Sequence, residues 1–353
     1  MEGSTIMQTY HDQKNAENTL KLREMLKSLP QFVAGYFRAM SDQTAPLTRI
    51  AYAYDLGIFF NFLAFDVLGG TSPTLINTDD MAKIDSDHLE EFMEYLTYYV
   101  PARDPDGSKQ NAALGKSRKL AAVRGLFKYL YKKKLIPANP AELIGFPKIT
   151  EKVITTLEPN EIARLIDEVE SGENLTDRQR VFHERTKLRD VAIITLLLGT
   201  GIRVSECVGL DIRDIDFEIN GFRVTRKGGD EMILYFGKEV ETALSNYLDQ
   251  REEQDTLEGH EQALFLSLQS RRITTRQIQK MVKKYAAIIT QLKKISPHKL
   301  RSTFGTQLYA ETGDIYLVAN VLGHADVNTT RKHYAKMDDT YRRRAANAVK
   351  LRD

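Results

Sequence analysis

The sequence predicts a mainly α-helical protein in two domains, the second carrying one small antiparallel β-sheet. Three observations predict it. Apolar residues recur at three- and four-residue spacing through the first 145 positions. A stretch punctuated by Pro and Gly and rich in β-branched residues, GFPKITEKVITTLEP, begins at Gly145 and reads as an extended linker. Residues 214–218, 222–226 and 231–236 then change to strand-like patterning, with Asn220-Gly221 as a two-residue hairpin signal.

The helical elements follow in order. Residues 20–40 form a helix broken at Pro30. Residues 46–67 place Ile50, Tyr54, Ile58, Phe62 and Phe65 on one stripe. Asp79 to Val100 repeats the pattern with Leu89, Phe92, Met93 and Leu96, and Asp85-Ser86-Asp87 supplies cap chemistry. Residues 116–131 align Leu120, Val123, Phe127 and Leu130. After the linker, Thr156 caps a helix with Pro159 in its first turn. Arg189 to Leu198 reads as a buried helix stopped by Gly199-Thr200-Gly201, and a short helix starts at Arg203. Lys227-Gly228-Gly229-Asp230 makes the turn of the second hairpin, and from Thr274 the chain is helical to its end. The expected boundaries are a helical domain over 1–148, a linker over 149–157 and a second domain over 158–353.

At 353 residues the chain has room for two domains, and 42% apolar residues suffice to fill two cores. Charged residues make up 28% but the net charge is only +2, so any basic surface arises from local placement. Cys207, the one cysteine, excludes an intrachain disulfide and a Cys-rich zinc module. No basic region followed by an apolar run opens the sequence, and the apolar stretch from Val191 to Gly201 is too short to cross a bilayer. The expectation is a soluble cytoplasmic protein with no membrane association.

Residues 116–134, KSRKLAAVRGLFKYLYKKK, hold eight Lys or Arg and no acid. With the apolar stripe in the core, Lys116, Arg118, Lys119, Arg124, Lys128, Lys132, Lys133 and Lys134 face outward. A lone run of this kind is usually a solvated face; in a chain of balanced charge the clustering favours a phosphate-contacting surface. A second basic segment, TTRQIQKMVKKYA from Thr274, places Arg276, Lys280, Lys283 and Lys284 along one side and Ile278, Met281 and Val282 toward a core.

Several chemistries are absent from the sequence. GTGIRV at 199–204 lacks the third glycine of a dinucleotide fingerprint and follows a helix. There is no GxxxxGK[ST] and no HExxH, and His324 and His333 have poor zinc spacing. What remains is a set of basic residues: Arg203 after a glycine break, Lys227 in a turn, His298 and Arg301 three apart on one helix, and His324 after a Leu-Gly pair. Leu300, Phe304 and Leu308 bury the other side of the His298 helix. Each alone has a bland reading. Arg203 pairs with Glu206, Lys227 is a solvated turn residue, and Tyr334 is one of 16 tyrosines. Together they suit phosphodiester chemistry without a metal. Two guanidiniums can clamp the non-bridging oxygens, histidines and a lysine can handle protons, and a phenol can attack phosphorus.

GTGIRVSE (199–206), RKGGD (226–230), PHKLRSTFGT (297–306), LGHADVNTT (322–330) and KHYAKM (332–337) resemble, in order and spacing, the catalytic boxes of the tyrosine recombinase (phage integrase-like) family. The likeness is to Xer-type recombinases and, through the RDxAIIxLLLxxGxRxSE stretch and TRKGG turn, to the single-recombinase XerS subgroup. It implies a helical core-binding domain and a catalytic domain with a C-terminal tail helix, closing as a C-shaped clamp on DNA. It also implies residue roles. Arg203 and Arg301 grip the scissile phosphate, Lys227 is the general acid, His298 assists as base, and His324 donates to a phosphate oxygen. Tyr334 is the nucleophile of a 3′-phosphotyrosyl intermediate, and Glu206 supports Arg203. His324 and Tyr334 lie one residue further apart than is commonest in the family; Tyr341 is the nearest other phenol. Family members need no cofactor and act as tetramers on two DNA duplexes through a Holliday junction. The segment DDTYRRRAANAVKLRD, after Tyr334, is expected to dock on a neighbouring subunit. A regulatory protein partner is compatible with this scheme. The function implied is Xer-like chromosome dimer resolution. The rival readings are a mobile-element integrase, a type IB topoisomerase and, from another class, a DNA-binding protein without catalysis.

Overall fold

The computed structural model describes residues 9–101, 107–150, 155–226, 229–324 and 326–327. The chain divides into two compact units, Met1–Glu151 and Lys152–Asp353.

The first unit is helical: α1 (Tyr10–Leu26), α2 (Val33–Ala39), α3 (Pro46–Phe62), α4 (Thr78–Ala82), α5 (Ser86–Tyr95) and α6 (Ala113–Lys132). A two-stranded ribbon, β1 (Tyr98–Tyr99) with β2 (Lys109–Gln110), precedes α6. The continuous 79–100 helix expected from periodicity is two helices. The Asp85 carboxylate accepts the His88 backbone N–H at 3.1 Å and caps a new start. On α3 the buried face is Leu56, Phe59 and Phe60. Phe65, placed inward by the expected stripe, is exposed where the helix loosens into a π turn at Leu63–Val67, and Tyr54, on the regular part of α3, is exposed as well. Pro46–Val67 has the length and apolar composition of a membrane span, longer than the 191–201 stretch weighed from sequence. Its apolar residues join Phe92, Phe127 and Leu130 in the core cluster.

The stripe on α6 is as expected, with Leu120, Val123, Phe127 and Leu130 all buried. Its cations are not all outside. Lys119 is buried and donates to Asn111 Oδ1 at 2.8 Å, so it leaves the list of candidate DNA contacts. It lies one position before Leu120, on the rim of the apolar face, where a long stem can reach inward. Arg118 pairs at 2.9 Å with Asp55 of α3, and Lys116 donates to the Met93 carbonyl and the Thr97 hydroxyl. Arg124 lies over the Phe146 ring at 4.9 Å. Lys128, Lys132, Lys133 and Lys134 are exposed.

The second unit begins with α7 (Pro159–Ser171) and α8 (Asp177–Thr200). Thr156 does not cap α7. Pro159 sets the first helical position, Glu158 is the cap residue, and its N–H donates to the Glu161 carboxylate at 2.8 Å. α8 starts twelve residues before the expected Arg189, at the capping box of Thr176 with Gln179; its polar first half carries no apolar stripe to reveal it. α9 (Val204–Gly209) follows, then a three-stranded antiparallel sheet in the order β3 (Ile215–Asp216), β4 (Gly221–Thr225), β5 (Glu231–Tyr235). The turn between β3 and β4 is Phe217–Asn220, not Asn220-Gly221: Gly221 pairs with Asp216 and Tyr235. Asp216 accepts the Glu218 and Ile219 N–H groups, and Asn220 takes φ 48°, which together build the longer turn. α10 (Lys238–Glu252), α11 (Thr275–Ile289), α12 (Pro297–Thr312) and α13 (Ile315–Leu322) complete the described part.

Asp55 yields a test of the first core. It is fully buried, and neither carboxylate oxygen accepts a hydrogen bond of good geometry. Burial pushes its pKa up to about 6 from 3.8, against the pull of Arg118 and Lys119. A native carboxyl that binds its proton more tightly than the unfolded one contributes most below pH 3.8. That contribution falls away as pH rises through 6, by about 3 kcal/mol. In urea unfolding from pH 4 to 7, Asp55→Asn gains stability relative to wild type as pH rises. Parallel pH profiles for the two proteins contradict the assignment.

Candidate active site

The site grows from how helices end. α8 stops at Gly201, whose φ of 63° no side-chain-bearing residue adopts cheaply. A Cβ there would also stand 2.4 Å from Phe304 and 2.9 Å from Leu322. The break lets Arg203 cap α9. Its backbone N–H donates to Glu206 Oε2 at 2.9 Å, and its Nη1 reaches Glu206 Oε1 at 2.7 Å. One carboxylate thus holds both the backbone and the guanidinium of Arg203, whose side chain keeps 32% exposure, while Glu206 keeps 5%.

α13 ends in a Schellman motif. Gly323 takes φ 59°, its N–H bonds to Asn320, and the His324 N–H reaches back to the Ala319 carbonyl at 2.9 Å. A helix end leaves its last carbonyls without partners. Here arginines take them. Arg203 donates to the Gly323 carbonyl at 2.8 Å, and Arg226 to Leu322 and Val321 at 2.8 Å each. Arg301 donates to Leu322 and, at 2.6 Å, to Gly201. The Arg226 Nη1 also lies 3.8 Å from Glu206 Oε1. Burial depresses the Arg226 pKa, Glu206 pulls it back up, and Arg203 adds to the depression. Three guanidiniums against one carboxylate leave positive charge at a point where a helix dipole is negative.

Arg203, Arg301 and His324 are thus brought to one place, with Glu206 beneath Arg203. Arg301 is 3% exposed, on a helix whose Leu300 is buried and whose Phe304 and Leu308 pack on Val318 and Leu322. His298, in the first turn of α12, is exposed. Lys227 and Tyr334 lie outside the described residues, as do His333, Tyr341 and the segment after Tyr334. On α11, Ile278, Met281 and Val282 are buried and Arg276, Lys280 and Lys283 are exposed. Lys284 departs from that outward set: its Nζ sits 3.8 Å from the Tyr285 ring and 3.8 Å from the buried Asp190 of α8.

Sequence reasoning missed Arg226 as a member of this cluster, and it also missed Thr303, whose hydroxyl accepts the Leu157 N–H at 3.0 Å beside the start of α7. Arg226 had a signal. Phe222 and Val224 face inward from β4, and two residues further the same parity falls on Arg226. A cation at an inward position implies buried acceptors.

Known proteins share this fold. Among solved structures, XerH bound to palindromic difH substrate in a post-cleavage complex aligns at TM-score 0.66 and 21% identity. The match covers 94% of this chain and 89% of that one. The Tn1549 transposon integrase in complex with circular intermediate DNA aligns at TM-score 0.60 and 17% identity over 85% and 93%. These likenesses define the fold class, that of two-domain tyrosine recombinases. The phage integrase family's sequence profile matches residues 155–340. Tyrosine recombinase XerC of Caldanaerobacter subterraneus subsp. tengcongensis is 32% identical over 93% of this chain and 89% of its own. Tyrosine recombinase XerC of Thermodesulfovibrio yellowstonii is 31% identical over 80% and 84%. The chain belongs to the phage integrase family and is a tyrosine recombinase, an enzyme that cleaves and rejoins DNA.

The glycine break carries a prediction. Gly201→Ala combines a left-handed backbone with overpacking against Phe304 and Leu322, and it destabilises the second unit by about 2–4 kcal/mol. Denaturant unfolding measures it. A loss under about 0.5 kcal/mol shows that the site's entry turn tolerates a side chain.

Proposed function

We propose that this recombinase resolves chromosome dimers as Xer recombinases do, at a specific DNA site in the cytoplasm. The observation that carries the chemistry is the convergence of Arg203 and Arg301 beside the turn that ends at His324. Relatives named XerC along nearly the whole chain support the biological role.

In this reading the scissile phosphate enters beside the end of α13. Arg203 and Arg301 donate to its non-bridging oxygens, and His324 adds a further donor. Each terminal guanidinium nitrogen carries two N–H groups, so one nitrogen can serve a carbonyl and a phosphate oxygen together. The Tyr334 oxygen attacks phosphorus as its proton passes to His298. The new O–P bond forms while the P–O5′ bond breaks, and Lys227 delivers a proton to the departing 5′-oxygen. Fixed guanidiniums stabilise the charge of the transition state without a metal. The ester to Tyr334 conserves the phosphodiester bond energy, so rejoining to a new 5′-hydroxyl needs no nucleotide. Four copies assemble on two duplexes, the segment after Tyr334 joining neighbours. Lys128, Lys132, Lys133 and Lys134 on one unit, and Arg276, Lys280 and Lys283 on the other, contact the DNA backbone.

Sequencing DNA cross-linked to the full chain in cells identifies the site, and a single site in the chromosome's terminus region is expected. Enrichment at the ends of a mobile element contradicts the proposed role. On a nicked suicide duplex carrying that site, wild type forms a covalent complex that survives detergent. Tyr334→Phe forms none; persistence of the complex in that variant moves the nucleophile to another phenol, with Tyr341 tested next. Arg301→Lys cleaves at least about 100-fold more slowly while binding falls far less, because a point charge cannot reproduce the fork. Equal losses of binding and cleavage contradict the clamp. Neutralising Lys132, Lys133 and Lys134 flattens the salt dependence of binding, by a slope change of up to about 3. An unchanged slope returns them to solvent.

A further inference from the structure

Over its first half, α8 turns polar side chains inward and apolar ones outward. His183, Thr186 and Asp190 share one face and are buried. They are satisfied there: His183 Nε2 hydrogen-bonds the Val169 carbonyl at 2.8 Å, and the Thr186 hydroxyl donates to Asp190 Oδ2 at 3.2 Å. A Cβ at Gly172, which caps α7, would stand 2.7 Å from the His183 ring, so the chain closes tightly on that side chain. Arg180 adds a bond to the Glu173 carbonyl. The His183 and Arg180 contacts fix the rotation of the helix about its axis. The opposite face therefore stays outside, and it carries Val181 at 67% exposure and Phe182 at 51%.

Arg178, Val181, Phe182 and Arg185 follow the i, i+3, i+4, i+7 spacing of one helical face, and all four are exposed. Among the described residues neither arginine has a hydrogen-bond or ion-pair partner, whereas Glu184 on the flank pairs with Lys187 at 3.4 Å. The two arginines stand about 10 Å apart along the axis with the apolar pair between them. Apolar side chains held in water between unpaired cations complement a chain that brings apolar groups and carboxylates. Nucleic acid fits less well, because Asp177 lies one turn from Val181 and Val181 offers no ring to a base. The tail of a second copy also fits less well, since residues 338–353 hold five Lys or Arg against three Asp.

We propose that this face of α8 docks a regulatory partner protein, through a segment in which apolar side chains are flanked by carboxylates. The same helix ends at Gly201, the break before Arg203. A partner that holds its first half therefore acts on the element that positions the site. The inference rests on the reading of the chain as a recombinase in cells, which cleavage by the purified protein tests separately.

The test places the photo-reactive benzoylphenylalanine at position 182 of the full chain, irradiates cells and sequences the cross-linked segment. A protein segment with Asp or Glu beside apolar residues is expected. Arg178→Glu with Arg185→Glu is expected to lose that cross-link and to lower recombination between two copies of the mapped site in cells at least about tenfold. The purified double variant is expected to unfold as wild type does and to cleave the suicide duplex within about twofold of wild type. Replacing the carboxylates of the cross-linked segment by lysine is expected to restore both cross-link and recombination to the double variant. Cross-links only to DNA or to a second copy, or none, overturn the proposal. So do unchanged recombination in the double variant and failure of the charge exchange to restore it. An equal loss of cleavage by the purified variant also overturns it, because the face then serves the recombinase itself. Failure of the purified wild type to cleave overturns instead the reading beneath. Should the double reversal unfold, Arg178→Gln with Arg185→Gln, which removes the charges and adds none, decides the question.

Discussion

The carbonyls of Val321, Leu322 and the capping Gly323 at the end of α13 are the constraint around which the second unit is arranged. A helix end must find donors for them or give them to water. Here the donors are Arg203, Arg226 and Arg301, contributed by a helix cap, a hairpin foot and the face of α12. A hydrogen bond with one charged partner contributes about 1.5–3 kcal/mol net, and leaving its buried acceptor unpaired costs a similar amount. Moving any one of the three segments therefore frees carbonyls and unbalances guanidiniums at once. Glu206 reinforces the arrangement by holding Arg203 directly and standing close to Arg226.

In the proposed reaction that constraint has a catalytic use. Guanidiniums already oriented by carbonyls need little reorganisation when charge develops on a phosphate, and such preorganised donors are the most effective form of electrostatic catalysis. The backbone carbonyls carry only partial charge, so they hold the arginines without neutralising them. Glu206 is the exception and sits low in the site, where it restrains Arg203 while that side chain keeps an exposed edge. Gly201 and Gly323 make the geometry possible. Each reverses the chain in a left-handed turn at a point where a side chain would strike the packing or an arginine.

Much of this was legible in the sequence because the features are local. Gly-Thr-Gly before Arg203, Pro297 opening the helix of Arg301 and Leu-Gly before His324 are cap signals that name their own geometry. The apolar stripe of α6 was equally plain, and so was the change of period at the sheet. What periodicity could not show was where long side chains end. Lys119 and Lys284 read as outward cations, yet each turns back to an acidic partner buried on another helix, Asp55 and Asp190. Those acids lie 64 and 94 positions away in the chain, so no window of sequence connects them. Arg226 was hidden differently. Its acceptors are backbone carbonyls, which every sequence has and none advertises.

The measurement that bears most directly on the arginine cluster is a crystal structure of the full chain on its mapped duplex, with vanadate at the scissile position. The account predicts Arg203 and Arg301 nitrogens about 3 Å from oxygens of the same vanadate, with both arginines still beside the end of α13. A vanadate held by other cations, with Arg203 and Arg301 left only on their carbonyls, contradicts it.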